Sequence, residues 1–367
     1  MWKARRGVVI RWVEKFRVNL TWAQRFLQIA VAVPAGDGSA RAIPVGIRHC
    51  PSAKKPGRRA TAEEWAAYRH AQQALCLPAV AVGCLKALRT ALDDDPNSAQ
   101  RQLLIAVDGG YTNTTLFRQL PERSTLVGRL RKDAVLYSPP IPTAGRGRRR
   151  CYGNRLPTPA AIRQHNDIPW QTIRAYAAGK THDFDVKVVD SVRWRGAGSL
   201  NLRLLIIRPL AYRPTKSHRL LYRQPAYLIC SDPTLPAEQI LQAYRWRWEV
   251  EMTFHDEKTL LGMGEAQVRT APAIAAVPTF IAGLYAYLHL AALQVTGEMP
   301  ALPRPKWQSP TPTDRMTTAQ LQGRIRADLW GSALGVNITD FVQQAARDMK
   351  PEIFPKNPFS AVVFALK

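Results

Sequence analysis

The chain has 367 residues, 46% of them apolar, enough to bury a sizeable core and to exclude a globally disordered protein. Lys and Arg outnumber Asp and Glu by 52 to 27, and the resulting net charge of +25 calls for a polyanionic partner: DNA, RNA or an anionic membrane surface. Five scattered cysteines (Cys50, Cys76, Cys84, Cys151, Cys230) with no C-x-x-C pair argue for a reducing cytoplasm and against disulfides or a zinc site, and without a G-x-x-x-x-G-K-[ST] loop no nucleotide cofactor is expected.

The N-terminal MWKARRGVVIRWVEKF lacks the apolar stretch of a signal peptide. Residues 22–47 predict a β-hairpin: an apolar run LQIAVAV, a turn AGDGS, then RAIPVGI. Lys54, Lys55, Arg58 and Arg59 mark a basic loop. Thr61 opens a helix with Glu63 and Glu64 in its first turn, where the helix dipole favours acids, and helical sequence runs to about Leu92. Residues 93–98 break it. LLIAV at 103–107 is the continuous apolar run of a buried strand and ends at Asp108. A helix follows at about Thr114, then a strand in STLVGRLRKDAVLY. Residues 138–170, rich in Pro, Gly and Arg and including Arg146, Arg148, Arg149 and Arg150, read as loop and linker. Strand candidates VKVV, LRLLIIRPL and PAYLIC fill residues 183–229, and a helix begins near Pro236 and continues past Lys258. Residues 271–295 carry no charge and approach membrane-spanning length. Pro272, Pro278, Gly283, His289 and Gln294 favour a buried core helix instead, with no membrane as partner. A Pro-rich loop at 299–313 leads to a last helix around 317–330.

The most specific pattern is Y-x2-R-x3-E-x6-K, formed by Tyr244, Arg247, Glu251 and Lys258. At about 100° per residue in one helix, all four fall within an arc of roughly 60°. One carboxylate then lies among two cations and a phenol: the acid suits a divalent metal, and Arg and Lys suit phosphate oxygens. Taken singly, each is as well explained by a solvated helix face with ordinary ion pairs. Asp108 is the second candidate, at the C-terminal end of a buried strand; alone, Asp-Gly is an ordinary turn pair. Trp246 and Trp248 read as core, Asp256 and Glu257 as solvated, and Arg245 as structural or a nonspecific DNA contact. Trp194 reads as a strand Trp between two arginines, with base stacking as the alternative.

The Tyr-Arg-Glu-Lys pattern resembles the signature of DDE transposases of the insertion-sequence-four-like superfamily. D-x-G-Y at Asp108–Tyr111 and the following RLRKDAVLY resemble the segment around that family's second Asp. The resemblance implies an α/β fold, a ribonuclease H-like mixed sheet with flanking helices interrupted by a β-rich insertion. It implies catalytic and metal-binding roles for Asp108 and Glu251, and DNA-phosphate contacts for Tyr244, Arg247 and Lys258. Mg²⁺, with Mn²⁺ as substitute, is the implied cofactor, and double-stranded DNA the partner, with a possible homodimer. Residues 1–140 would form the first part of the core, 141–225 the linker and insertion, 226–295 the second part with the Glu-bearing helix, and 296–367 a C-terminal tail. Such acids converge at one sheet edge to hold two metals about 4 Å apart.

One acid departs from the pattern. Residues 1–36 contain no Asp, Glu14 is their sole acid, and Asp37 falls in the hairpin turn. The expectation is an N-terminus truncated before the first strand and its Asp. A rival assignment makes Asp108 the first acid and Asp183, Asp185 or Asp190 the second. Two functions follow: a bacterial insertion-sequence transposase, or an inactive truncated form that only binds DNA or regulates an intact enzyme.

Overall fold

The computed structural model describes residues 8–14, 17–141, 149–213, 218–295 and 317–333. The elements are β1 (Val8–Glu14), β2 (Arg17–Ala23), β3 (Phe26–Pro34), β4 (Ala40–His49), α1 (Ala62–Ala74), α2 (Leu77–Asp93), β5 (Leu103–Val107), α3 (Thr114–Arg118), β6 (Ser124–Arg129) and β7 (Leu136–Tyr137). They continue with α4 (Pro159–Gln164), β8 (Gln171–Ala177), β9 (Lys180–Trp194), β10 (Leu202–Ile207), β11 (Ala211–Tyr212), β12 (Leu221–Tyr222), β13 (Ala226–Cys230), α5 (Ala237–Trp246), α6 (Glu249–Thr259), α7 (Ala271–Val295) and α8 (Thr318–Ala333). Arg146, Arg148 and the Pro-rich loop at 299–313 lie outside the described residues.

Seven strands form one mixed sheet in the order β5-β6-β13-β10-β9-β7, with β8 also paired to β9. Among the described residues, only β5 and β6 run parallel; the other pairings are antiparallel. The class is α/β with helices flanking a mixed sheet, consistent with a ribonuclease H-like core. The strands expected within 183–229 do not stand apart, because β13 returns to pair with both β6 and β10. The hairpin β3–β4 is a separate two-stranded sheet, as is the ribbon β1–β2.

Successive residues of a strand face opposite sides, and here both sides are covered. Leu126, Leu204, Ile206 and Ile229 share one core with Val82 and Leu85 of α2. Val127, Leu205, Leu228 and Cys230 share the other with Ala237, Ile240 and Leu241 of α5. That is why these strands read as unbroken apolar runs. Helix α1 begins on a capping box: Glu64 N donates to Thr61 Oγ1 at 3.2 Å, and Thr61 N donates to Glu64 Oε2 at 2.8 Å.

Helix α7 is long and apolar enough to cross a membrane by length and composition. One face, with Ile281, Ala282, Tyr285 and His289, is buried, and α7 packs on β4. The opposite face exposes Phe280, Tyr287 and Leu290. The core-helix expectation therefore holds for one face only.

Candidate active site

Asp108 directly follows β5 and is exposed. Its Oδ1 accepts from Gly110 N at 2.8 Å and Tyr111 N at 3.2 Å, and its carbonyl accepts from Thr112 Oγ1 at 2.9 Å. Asn113 then caps α3 through Leu116 N at 3.1 Å. The carboxylate is thus clamped on one side, while Oδ2 makes no hydrogen bond among the described residues. The turn rests on Gly128 of β6, where a Cβ would stand 2.2 Å from Thr112 Oγ1. Beside it, burial raises the Tyr111 phenol to about 12, and the Asp108 charge adds to the rise, so Tyr111 stays a neutral donor.

The helix expected to carry the whole signature is two helices. Between α5 and α6, Arg247 and Trp248 form a tightened turn: Trp248 N donates to Arg245 O at 3.2 Å, Val250 N to Arg247 O at 3.2 Å and Glu251 N to Trp248 O at 3.0 Å. These i→i−3 bonds replace part of the α-helical ladder. The single 60° arc is therefore corrected to two shorter faces. Three of the four residues still form a continuous row. The Arg247 guanidinium lies 5.5 Å from the Tyr244 ring centroid, and its Nη1 donates to Glu251 Oε1 at 3.2 Å. Glu251 keeps 46% of its side chain exposed, leaving room for a second partner. Lys258 is exposed and, seven residues on, shares Glu251's side of α6.

Several sequence expectations change. Trp248 is 55% exposed rather than core, whereas Trp246 is half-buried and donates to Gly38 O at 3.1 Å, tying α5 to the hairpin turn. Glu257 is fully buried rather than solvated. Asp256 accepts from Thr318 Oγ1 at 2.5 Å. Trp194 is a strand residue at the end of β9, as expected, and packs edge-on against Phe117 with centroids 5.5 Å apart. Arg245 lies against Phe184, and burial, followed by the Arg223 charge, lowers its pKa. The rival acids are each ion-paired on the sheet, as Glu251 is on α6: Asp183 with Arg174 at 3.3 Å, Asp185 with Arg208 at 3.0 Å and Asp190 with Arg203 at 2.5 Å. Sequence reasoning missed Thr112 and Gly128, although a Thr four residues after a strand-end Asp is a signal for such a turn.

Among the described residues, no group of three or more His, Cys, Asp or Glu side chains comes together as a metal site. Asp108 and Glu251 still offer the hard oxygen donors that suit Mg²⁺, which is often held by one or two carboxylates with water and substrate phosphate. Beside Asp108, β5 pairs only with β6, and β3 only with β4, among the described residues. An apolar central-type strand thus presents one unpaired edge next to the candidate acid, with Leu104 42% exposed.

Comparison with known protein families matches residues 83–285 to the family described as Transposase DDE domain. The match runs from within α2 into α7 and takes in Asp108, Tyr244, Arg247, Glu251 and Lys258. Comparison with curated proteins gives no match.

Proposed function

The chain belongs to the DDE transposase family, and on that premise we propose that it cleaves double-stranded DNA at the ends of a bacterial insertion sequence and joins the 3′ ends to a target. The observation that carries this reading is the Tyr244–Arg247–Glu251 row, lying within the same family match as the strand-end Asp108. Arg247 and Lys258 hold phosphate oxygens near the scissile bond, and Tyr244 orients Arg247 while donating a hydrogen bond of its own. Arg247 is shared between Glu251 and the phosphate, so DNA binding frees an oxygen of Glu251. Asp108 and Glu251 would hold Mg²⁺, or Mn²⁺ in its place, which would supply activation of the attacking oxygen and stabilisation of the leaving one. The reading extends to the insertion-sequence-four-like branch and to a homodimer working on paired element ends.

A third carboxylate completes the set in this family. The unpaired edge of β5 supports its arrival on a further strand alongside Asp108, where backbone groups are free to pair. The test is Mg²⁺- or Mn²⁺-dependent nicking of supercoiled plasmid, comparing the wild type with Glu251→Ala and Asp108→Ala. Loss of nicking in both variants, with DNA binding retained, supports the reading. Identical traces from all three proteins would leave a DNA-binding protein without cleavage.

A further inference from the structure

Helix α6 turns one face outward with Glu251 and Lys258 and the other inward with Thr253 and Glu257, which are 1% and 0% exposed. Glu257 is the most buried acid among the described residues, and its chemistry is incomplete as a carboxylate. Gln28 Nε2 of β3 donates to Glu257 Oε1 at 3.2 Å. Yet Glu257 Oε2 and Gln28 Oε1, one oxygen from each of the same two head groups, are buried without a hydrogen-bond partner. Two buried acceptors without a donor, on head groups already joined by one hydrogen bond, are costly.

A single proton satisfies both. We propose that Glu257 is a neutral carboxylic acid in the folded protein, forming a closed acid–amide pair with Gln28 in which Glu257 Oε2–H donates to Gln28 Oε1 while Gln28 Nε2–H donates to Glu257 Oε1. The pair is a latch between α6 and β3, and Glu257 is a positioning residue for the helix that carries Glu251 and Lys258. Its functional consequence rests on the transposase reading; the latch itself does not.

Electrostatics agree with the geometry. Burial, followed by the neighbouring Asp256 charge, raises the Glu257 pKa to about 7, against the lowering influence of Gln28 and Lys258. The other titratable groups facing α6 form a separate cluster. Arg41 of β4 bonds to Tyr285 Oη and Thr318 Oγ1 at 3.3 Å each and lies 3.4 Å from His289 Nε2, and Thr318 donates to Asp256. Because the folded-state pKa lies above the unfolded value of 4.5, the folded protein holds the extra proton between them. The contribution of this pair to stability is therefore fully present below pH 4.5 and is lost as pH rises through about 7.

The test has two arms on the full chain. Infrared difference spectra of the wild type between pH 5.5 and 8.5 should show one carboxylic-acid carbonyl band at the lower pH that is lost at the higher. The absence of such a band overturns the proposal. In the second arm, Glu257→Gln supplies a permanent donor to Gln28 Oε1; it should lack the fall of several degrees that Glu257 gives the wild type between the two pH values, and should melt above the wild type at pH 8.5. A Glu257→Gln protein destabilised equally at both pH values would show that a charged carboxylate is what the site needs. In DNA-binding assays the wild type should weaken above pH 7 and the variant should not. If the infrared and melting results hold while binding is insensitive to pH, the latch stands and its link to the DNA-binding face falls.

Discussion

Replacing Gly128 by Ala tests whether the close approach between β6 and the Asp108 turn sets the position of the candidate acid. The new Cβ would meet Thr112 Oγ1 at 2.2 Å and Thr112 Cβ and Cγ2 at 3.2 Å. The first distance is nearly an ångström inside the closest approach that real side chains show, so the turn must lift or Thr112 must rotate. Lifting the turn is overpacking, at about 1–3 kcal/mol. Rotating Thr112 forfeits its bond to Asp108 O, at about 1 kcal/mol net. Thr112→Ala removes Oγ1 and Cγ2 and leaves only the 3.2 Å contact, so the double variant should fall close to Thr112→Ala alone. The coupling in that cycle should be about 1–2 kcal/mol, read from urea midpoints at unchanged slope. Metal-dependent nicking should fall with Gly128→Ala and partly return in the double variant. A Gly128→Ala protein within about 0.5 kcal/mol of the wild type, or an additive cycle, would refute the argument.

Thr61→Ala should destabilise α1 by about 1 kcal/mol, because it removes the Oγ1 that accepts from Glu64 N at the start of the helix. Adding Glu64→Ala to it removes the remaining bond, which the backbone N of residue 61 donates to Glu64 Oε2, and should lower the thermal midpoint further. For Lys258→Ala, DNA affinity should drop uniformly across sequences, and the slope of log K against log salt should shrink by about 1. An unchanged slope in a salt titration would remove Lys258 from the phosphate-binding face.

The parts legible in the sequence are those where local chemistry decides. The hairpin at β3–β4 announces itself by apolar runs flanking Asp37-Gly38, with Gly38 at φ +86°. Helix α1 is marked by its cap and β5 by its unbroken apolar run LLIAV, although among the described residues β5 is an edge strand with Leu104 exposed rather than the fully buried strand expected. Illegible were β8, where QTIRAYA alternates weakly, and α4, a short helix inside a Pro-rich stretch. The ribbon β1–β2 was likewise missed, its strands carrying charges among the apolar residues. The site divides in the same way. Asp108 and the Tyr244–Arg247–Glu251 row follow from motif spacing, but the break at Arg247–Trp248 does not, since both residues keep helical backbone angles. Glu257 was unreadable for a plainer reason. The inward face of α6 is built from Thr253 and Glu257, so no apolar periodicity marks it, and an Asp-Glu-Lys run ordinarily belongs to solvent.

The place of β13 in the sheet has a consequence for how the chain is made. β6 finds its second neighbour only when Cys230 pairs with Val127, about a hundred residues later. At a synthesis rate of about 5–20 residues per second, the apolar edge of β6 waits on the order of 5–20 s for its partner. During that interval β5 and β6 are a two-stranded fragment, too small to hold together alone. The nascent chain therefore cannot complete this sheet before β13 has been made. Slowing translation between residues 130 and 226 lengthens the exposure without helping the fold, whereas a chaperone that shields β6 shortens the effective wait.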